Sequence, residues 1–91
     1  MLCFFNLAGA AYDPDVEGIE MATIGDARIE AARYVGEFVR DHPSLVWSGE
    51  EVRVEVTDAN QLVLFTIVVF GVDAPAVADE PASFRRLHHG R

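Results

Sequence analysis

The strictly alternating stretch VRVEVTD (residues 52–58), joined by three residues to the apolar run LVLFTIVVF (62–70), constrains this chain more than any other feature. Alternation puts Val52, Val54 and Val56 on one face and Arg53, Glu55 and Thr57 on the other, the period of a strand with one buried side. The intervening DANQ has the Asp/Asn chemistry of a hairpin connection. The second run does not alternate. A strand apolar on both faces is either central in its sheet or covered on its outer side by another copy, and the pattern admits both readings.

The rest of the chain supplies partners for that hairpin. Leu2 to Ala8 reads as a strand with Cys3, Phe5 and Leu7 on one face and Phe4 and Asn6 on the other. Gly9 permits a tight reversal, so AAYD (10–13) is expected to pair back as a short second strand, and Pro14 ends that pairing because it has no N–H to donate. Ile24, Ala27, Ala31, Tyr34, Val35 and Phe38 recur at helical spacing and predict an amphipathic helix from Ile24 to Asp41. Thr23 is its expected N-cap, with Asp26 three residues on. Glu30–Arg33 and Glu37–Arg40 are spaced to pair along its outer side. Pro43 disfavours helical geometry at His42 and stops it. SLVWSGEE then reads as a loop with Trp47 folded over the core. The order predicts an α+β fold, β-β-α-β-β, in which an antiparallel sheet carries one amphipathic helix on one face. Residues 1–73 form a single small domain in this reading, and the proline-bearing stretch 74–91 is expected to be a disordered tail.

Charge narrows the partners. Residues 1–72 hold twelve acids against four arginines, so the net charge of −8 belongs to the predicted domain. Such a surface repels phosphate and disfavours nucleic acid as a ligand. The basic tail segment FRRLHHGR, with Phe84 and Leu87 as apolar anchors, is the exception and could dock on a partner. No apolar run reaches the roughly 18 residues needed to span a membrane. The N-terminal apolar stretch lacks the basic flank of a secretion signal. With one cysteine there is no internal disulfide, which suits a reducing, cytoplasmic setting.

Candidate sites are few. Asp13, Asp15, Glu17 and Gly18 fall at the first, third, fifth and sixth places of a calcium loop. The closing bidentate Glu would stand at Ile24, which cannot ligate, and a strand precedes the loop where a helix should enter. Asp13, Asp15, Glu17 and Glu20 therefore remain only weak candidates for a divalent ion. The expectation instead is a connector in which Gly18 takes a positive φ and the carboxylates point to water near a helix N-terminus. Cys3 reads as a core thiol, His42 as a cation at a helix C-terminus, and His88 and His89 as tail residues. No catalytic motif, cofactor site or dinucleotide fingerprint is present, and no enzyme is expected.

FFNLAG, DPDVEGIEMATIGDARIEAARYV and VRVEVTDANQLVL together resemble the short bacterial proteins of the family called domain of unknown function 6894. The likeness covers about residues 4–70. Gly18 and Glu20 match the family's E-G-x-E element, Thr23 replaces its capping aspartate, and Arg53 to Asp58 match its hairpin. Ala8, Ala22 and Val52 depart from its turn aspartate, proline and tryptophan. The resemblance implies the fold and no activity. More distantly, the order of elements is similar to antitoxin domains of the HicB type, which bind a small toxin. The leading expectation is a non-catalytic interaction or self-association module, a homodimer through Leu62, Leu64, Val68 and Phe70 of the last strand. A regulatory, antitoxin-like protein with a protein or nucleic-acid partner and a weak divalent-metal binder are the alternatives.

Overall fold

Three valines occupy the centre of the molecule. In the computed structural model, which describes residues 1–77, the elements run β1 (Leu2–Gly9), β2 (Ile19–Glu20), α1 (Ile24–Asp41), β3 (Val52–Thr57) and β4 (Val63–Val69), with a 3₁₀ turn at Pro43–Trp47 after the helix. All pairings are antiparallel and the strands lie in the order β2-β1-β3-β4. Val52, Val54 and Val56 have no exposed surface. β1 sets Phe5 opposite Val56 and Leu7 opposite Val54, so the inward residues of both strands form one apolar floor. Burying each such side chain contributes about 1.5–3 kcal/mol.

The helix closes over that floor. Ala27, Ala31 and Val35 are buried at its inner stripe, flanked by the partly buried Tyr34, Phe38 and Val39. Small residues at the centre of the contact let the helix approach the sheet closely. Thr23 caps the helix as its sequence predicts, its Oγ1 accepting from the Asp26 N–H at 3.0 Å. At the other end the His42 N–H donates to the Phe38 carbonyl, and the two rings stack with centroids 4.4 Å apart. Arg33 pairs with Glu30 at 2.9 Å. Arg40 meets the neighbouring Asp41 at 3.1 Å instead of pairing with Glu37; exposed pairs of this kind contribute little.

Two expectations are corrected, and the open question of where β4 sits in the sheet is decided. The second strand is not AAYD: only Asp13 forms an isolated bridge, to Leu7, and β2 comes later at Ile19–Glu20. Gly9 does take a positive φ of 86°, but the chain swings wide before it can pair again. β4 is not central. It is the terminal strand of the sheet beside β3, because β1 has taken the other side of β3. Trp47 does not lie over the core. It is half exposed, and its six-membered ring fills the space in front of Gly71, where any side chain would collide with it. The hairpin connection forms as expected: Asp58 Oδ1 accepts from the N–H groups of Asn60 at 2.8 Å and Leu62 at 3.0 Å. Residues 74–77 make a turn closed by a bond from the Val77 N–H to the Ala74 carbonyl. The rest of the expected tail, residues 78–91 with Phe84, Leu87, His88 and His89, lies outside the described residues.

Val54→Ala leaves a cavity under α1 and is expected to cost about 2 kcal/mol in urea unfolding. Thr23→Ala, which removes only the cap, should cost about 1 kcal/mol. Equal losses at the two sites would contradict a core centred on β3.

Candidate functional site

The acidic connector is built around one carboxylate. Leu7 bonds to Asp13 in both directions at 3.0 Å, and four residues back along β1, Cys3 pairs with Ile19. Five residues lie between Asp13 and Ile19 against three between Cys3 and Leu7, so the connector carries two more than a regular ladder allows. The excess is gathered into Asp15–Gly18. Inside that swing the Phe5 N–H faces no backbone carbonyl, and Asp15 Oδ2 accepts from it instead at 3.1 Å. Asp15 Oδ1 accepts from the N–H groups of Glu17 at 3.1 Å and Gly18 at 3.0 Å. Gly18 makes this possible with φ 78°, a value that a residue with a Cβ adopts only at a cost. The Asp15 N–H in turn donates to Asn6 Oδ1 at 3.0 Å, while Asn6 Nδ2 reaches the Glu55 carbonyl at 3.0 Å. One carboxylate and one amide thus tie the connector to β1 and β3.

The expectation that these carboxylates all point to water is therefore corrected for Asp15. Burial by itself raises its pKa, but the three backbone N–H bonds outweigh that and hold it below its ordinary value of 3.8. Asp13 and Glu17 are exposed, and Glu20 accepts from the Met1 amino group at 2.7 Å. Among the described residues no three His, Cys, Asp or Glu side chains are grouped to share an ion. Asp13, Asp15, Glu30 and Tyr34 help line an open cleft of ≈ 330 Å³ beside α1. Burial pushes the Tyr34 phenol up in pKa, and the charges of Asp13 and Asp15 push it further. Cys3 is fully buried in the core, and His42 is exposed at the end of α1 with Nδ1 3.2 Å from the Phe38 carbonyl.

The other unusual surface is β4. Strand alternation fixes where its backbone points. Leu7 bonds toward the β2 side, so Phe4, Asn6 and Ala8 bond to β3. Carried across β3, the same alternation turns Val52, Val54 and Val56 toward Val69, Ile67 and Phe65. The bond from the Asp58 N–H to the Leu62 carbonyl at 3.0 Å agrees with it. The N–H and C=O groups of Thr66 and Val68, beyond the bulge, consequently face outward from the edge of the sheet. The register shifts by one residue between Val56 and Thr57, a bulge confined to the start of the strand. Leu62, Leu64, Val68 and Phe70 are 63%, 36%, 44% and 61% exposed. These four are the residues singled out from the sequence. Val68 and Phe70 lie on the sheet face away from the helix, whereas the one-residue shift sets Leu62 opposite Asp58, out of phase with them.

Sequence reasoning missed the roles of Asp15 and Asn6. Signals existed for both: an Asp three residues before a turn glycine, and a lone amide within an apolar strand. Neither spacing reveals that Phe5 needs an acceptor, because that need arises only from how β2 returns to β1.

The arrangement defines a small antiparallel α+β domain with a side-chain-tied acidic connector and an open apolar edge. The family model described as domain of unknown function (DUF6894) matches residues 2–71, and the chain belongs to that family. No curated protein and no solved structure matches it. Among the described residues no helix is long and apolar enough to cross a membrane.

Asp15→Ala leaves three backbone donors without their acceptor and is expected to cost about 2 kcal/mol, with Asp15→Asn intermediate. Because the folded pKa is depressed, the stability from Asp15 is fully present above pH 3.8 and is lost as the pH falls through the lower folded value. Urea midpoints followed down through the carboxylate range should therefore fall less steeply for Asp15→Asn than for the parent. Parallel pH profiles would show that the three bonds do not favour the ionised form.

Proposed function

We propose that this protein is a non-catalytic, cytoplasmic interaction module that works by self-association through β4. The observation that carries this reading is an uncharged, apolar edge strand on a domain whose remaining surface is densely charged. Soluble proteins commonly protect sheet edges with charges, prolines or short strands. Here the run Leu62–Val72 contains no charged residue and no proline, and its outward side chains form a contiguous strip of the kind that marks an interaction site. Size points the same way. A domain of about this length buries only some 60–65% of its unfolded surface, so covering the strip with a partner adds to a small core.

Two further features support a non-catalytic role. Cys3, which could serve as a nucleophile, is sealed in the core, and His42, the histidine among the described residues, stands at a solvent-exposed helix end. The most structured carboxylate, Asp15, is engaged by backbone donors that hold it ionised, so it is poorly placed to exchange protons near neutral pH.

Sedimentation of the full chain at micromolar concentration is expected to give a dimer. Replacing Leu62 and Phe70 together by Lys should yield a monomer with an unchanged circular dichroism spectrum. A parent chain that stays monomeric throughout the micromolar range removes self-association as its function.

A further inference from the structure

We infer that two copies of this chain join edge to edge, β4 running antiparallel to the partner's β4, with a two-fold axis through Thr66. This rests on the self-association just proposed and specifies its partner and register. The partner's chemistry is that of the strand itself. The outward backbone groups beyond the bulge belong to Thr66 and Val68, and Thr66 is the midpoint of Val63–Val69. A two-fold interface is self-complementary by construction, so the surface opposite each residue is known once the axis is chosen.

Placing the axis at Thr66 sets Leu64 against Val68 of the second copy, Val68 against Leu64, and Thr66 against its own counterpart. Roughly four N–H···O bonds then close the gap. Apolar residues meet apolar residues, and the only hydroxyl in the strip meets a hydroxyl, a favourable cross-strand pair. Sliding the register by two residues sets Thr66 against Val68 and loses that match. Beyond the pairing, the exposed Phe70 comes near the start of the partner's β4, where Leu62 and Val63 are also exposed.

Electrostatics favours a second copy at this edge over copies meeting elsewhere. Each chain carries −8, and contacts through the connector or the outer side of α1 bring carboxylates face to face. Along β4 no charge of the strand itself is opposed. The nearest charged side chains on the same face are Glu55 and Arg53, one strand inward and opposite Thr66 and Val68. They neutralise each other, with Arg53 Nε 3.0 Å from Glu55 Oε2. The product is one continuous sheet of two four-stranded halves, with both helices on the same face if the sheet continues unbroken.

The register makes a charge-swap test possible, because only a residue on the axis faces itself. Thr66→Glu in the full chain is expected to weaken self-association by about tenfold or more, and Thr66→Lys to weaken it less, since Glu55 of the same chain stands beside it. An equimolar mixture of the two variants should form a heterodimer more readily than either forms a homodimer. Restoration by mixing also shows that both variants fold. Hydrogen exchange on the parent provides the second readout: the amides of Thr66 and Val68 should become protected as concentration rises through the association range. A dimer in which mixing restores nothing, or in which these amides stay unprotected, overturns the β4 register while leaving self-association intact. A monomer overturns both. A monomer with these amides already protected would mean that residues 78–91 of the same chain cover the edge.

Discussion

One helix cannot cover four strands, and most of this molecule follows from that mismatch. A helix is about 10–12 Å across, whereas neighbouring strands lie about 4.8 Å apart, so α1 shelters little more than two strands and only one face. It settles over β3 and reaches toward β4, with Ala27 and Ala31 packed against a floor supplied by Cys3, Phe5, Leu7 and the three valines. β4 keeps its odd-numbered side chains partly under the helix and leaves the others outside. The exposed strip lies on the opposite face, which α1 does not reach.

The far edge of the sheet meets the same difficulty with a different solution. β2 has two residues, too few to pair the whole of β1, and the connector swings away between Asp13 and Ile19. A strand edge left open there would expose the Phe5 N–H beside the core. The Asp15 carboxylate takes the place of the missing ladder carbonyl, and Gly18 bends the chain so that the same carboxylate is held by two further N–H groups. One edge of the sheet is thus completed by a side chain of its own chain. The other edge has no such completion among the described residues.

Much of the fold was legible because period and capping are local properties. The alternation of VRVEVTD, the Ala27/Ala31/Val35 stripe, the Thr23 cap and the Pro43 stop each depend on residues a few positions apart, and each appears where the pattern puts it. The errors lie where a residue's partner is distant in sequence. Gly9 can reverse the chain, but whether Ala10 or Ile19 pairs next depends on where β1 has room. Asp15 looks like one more solvated acid until Phe5, ten residues earlier, is placed beside it. Trp47 rests against Gly71 because the 3₁₀ turn meets the end of β4, a contact with no local signature.

The two-faced apolar character of residues 62–70 shows the same division most plainly. Composition alone showed that this strand is apolar on both faces. Composition could not decide between a central place in the sheet and an edge completed from outside. That choice belonged to the tertiary structure: β3 has two hydrogen-bonding edges, β1 occupies one, and β4, joined to β3 by a tight hairpin, has only the outer place left.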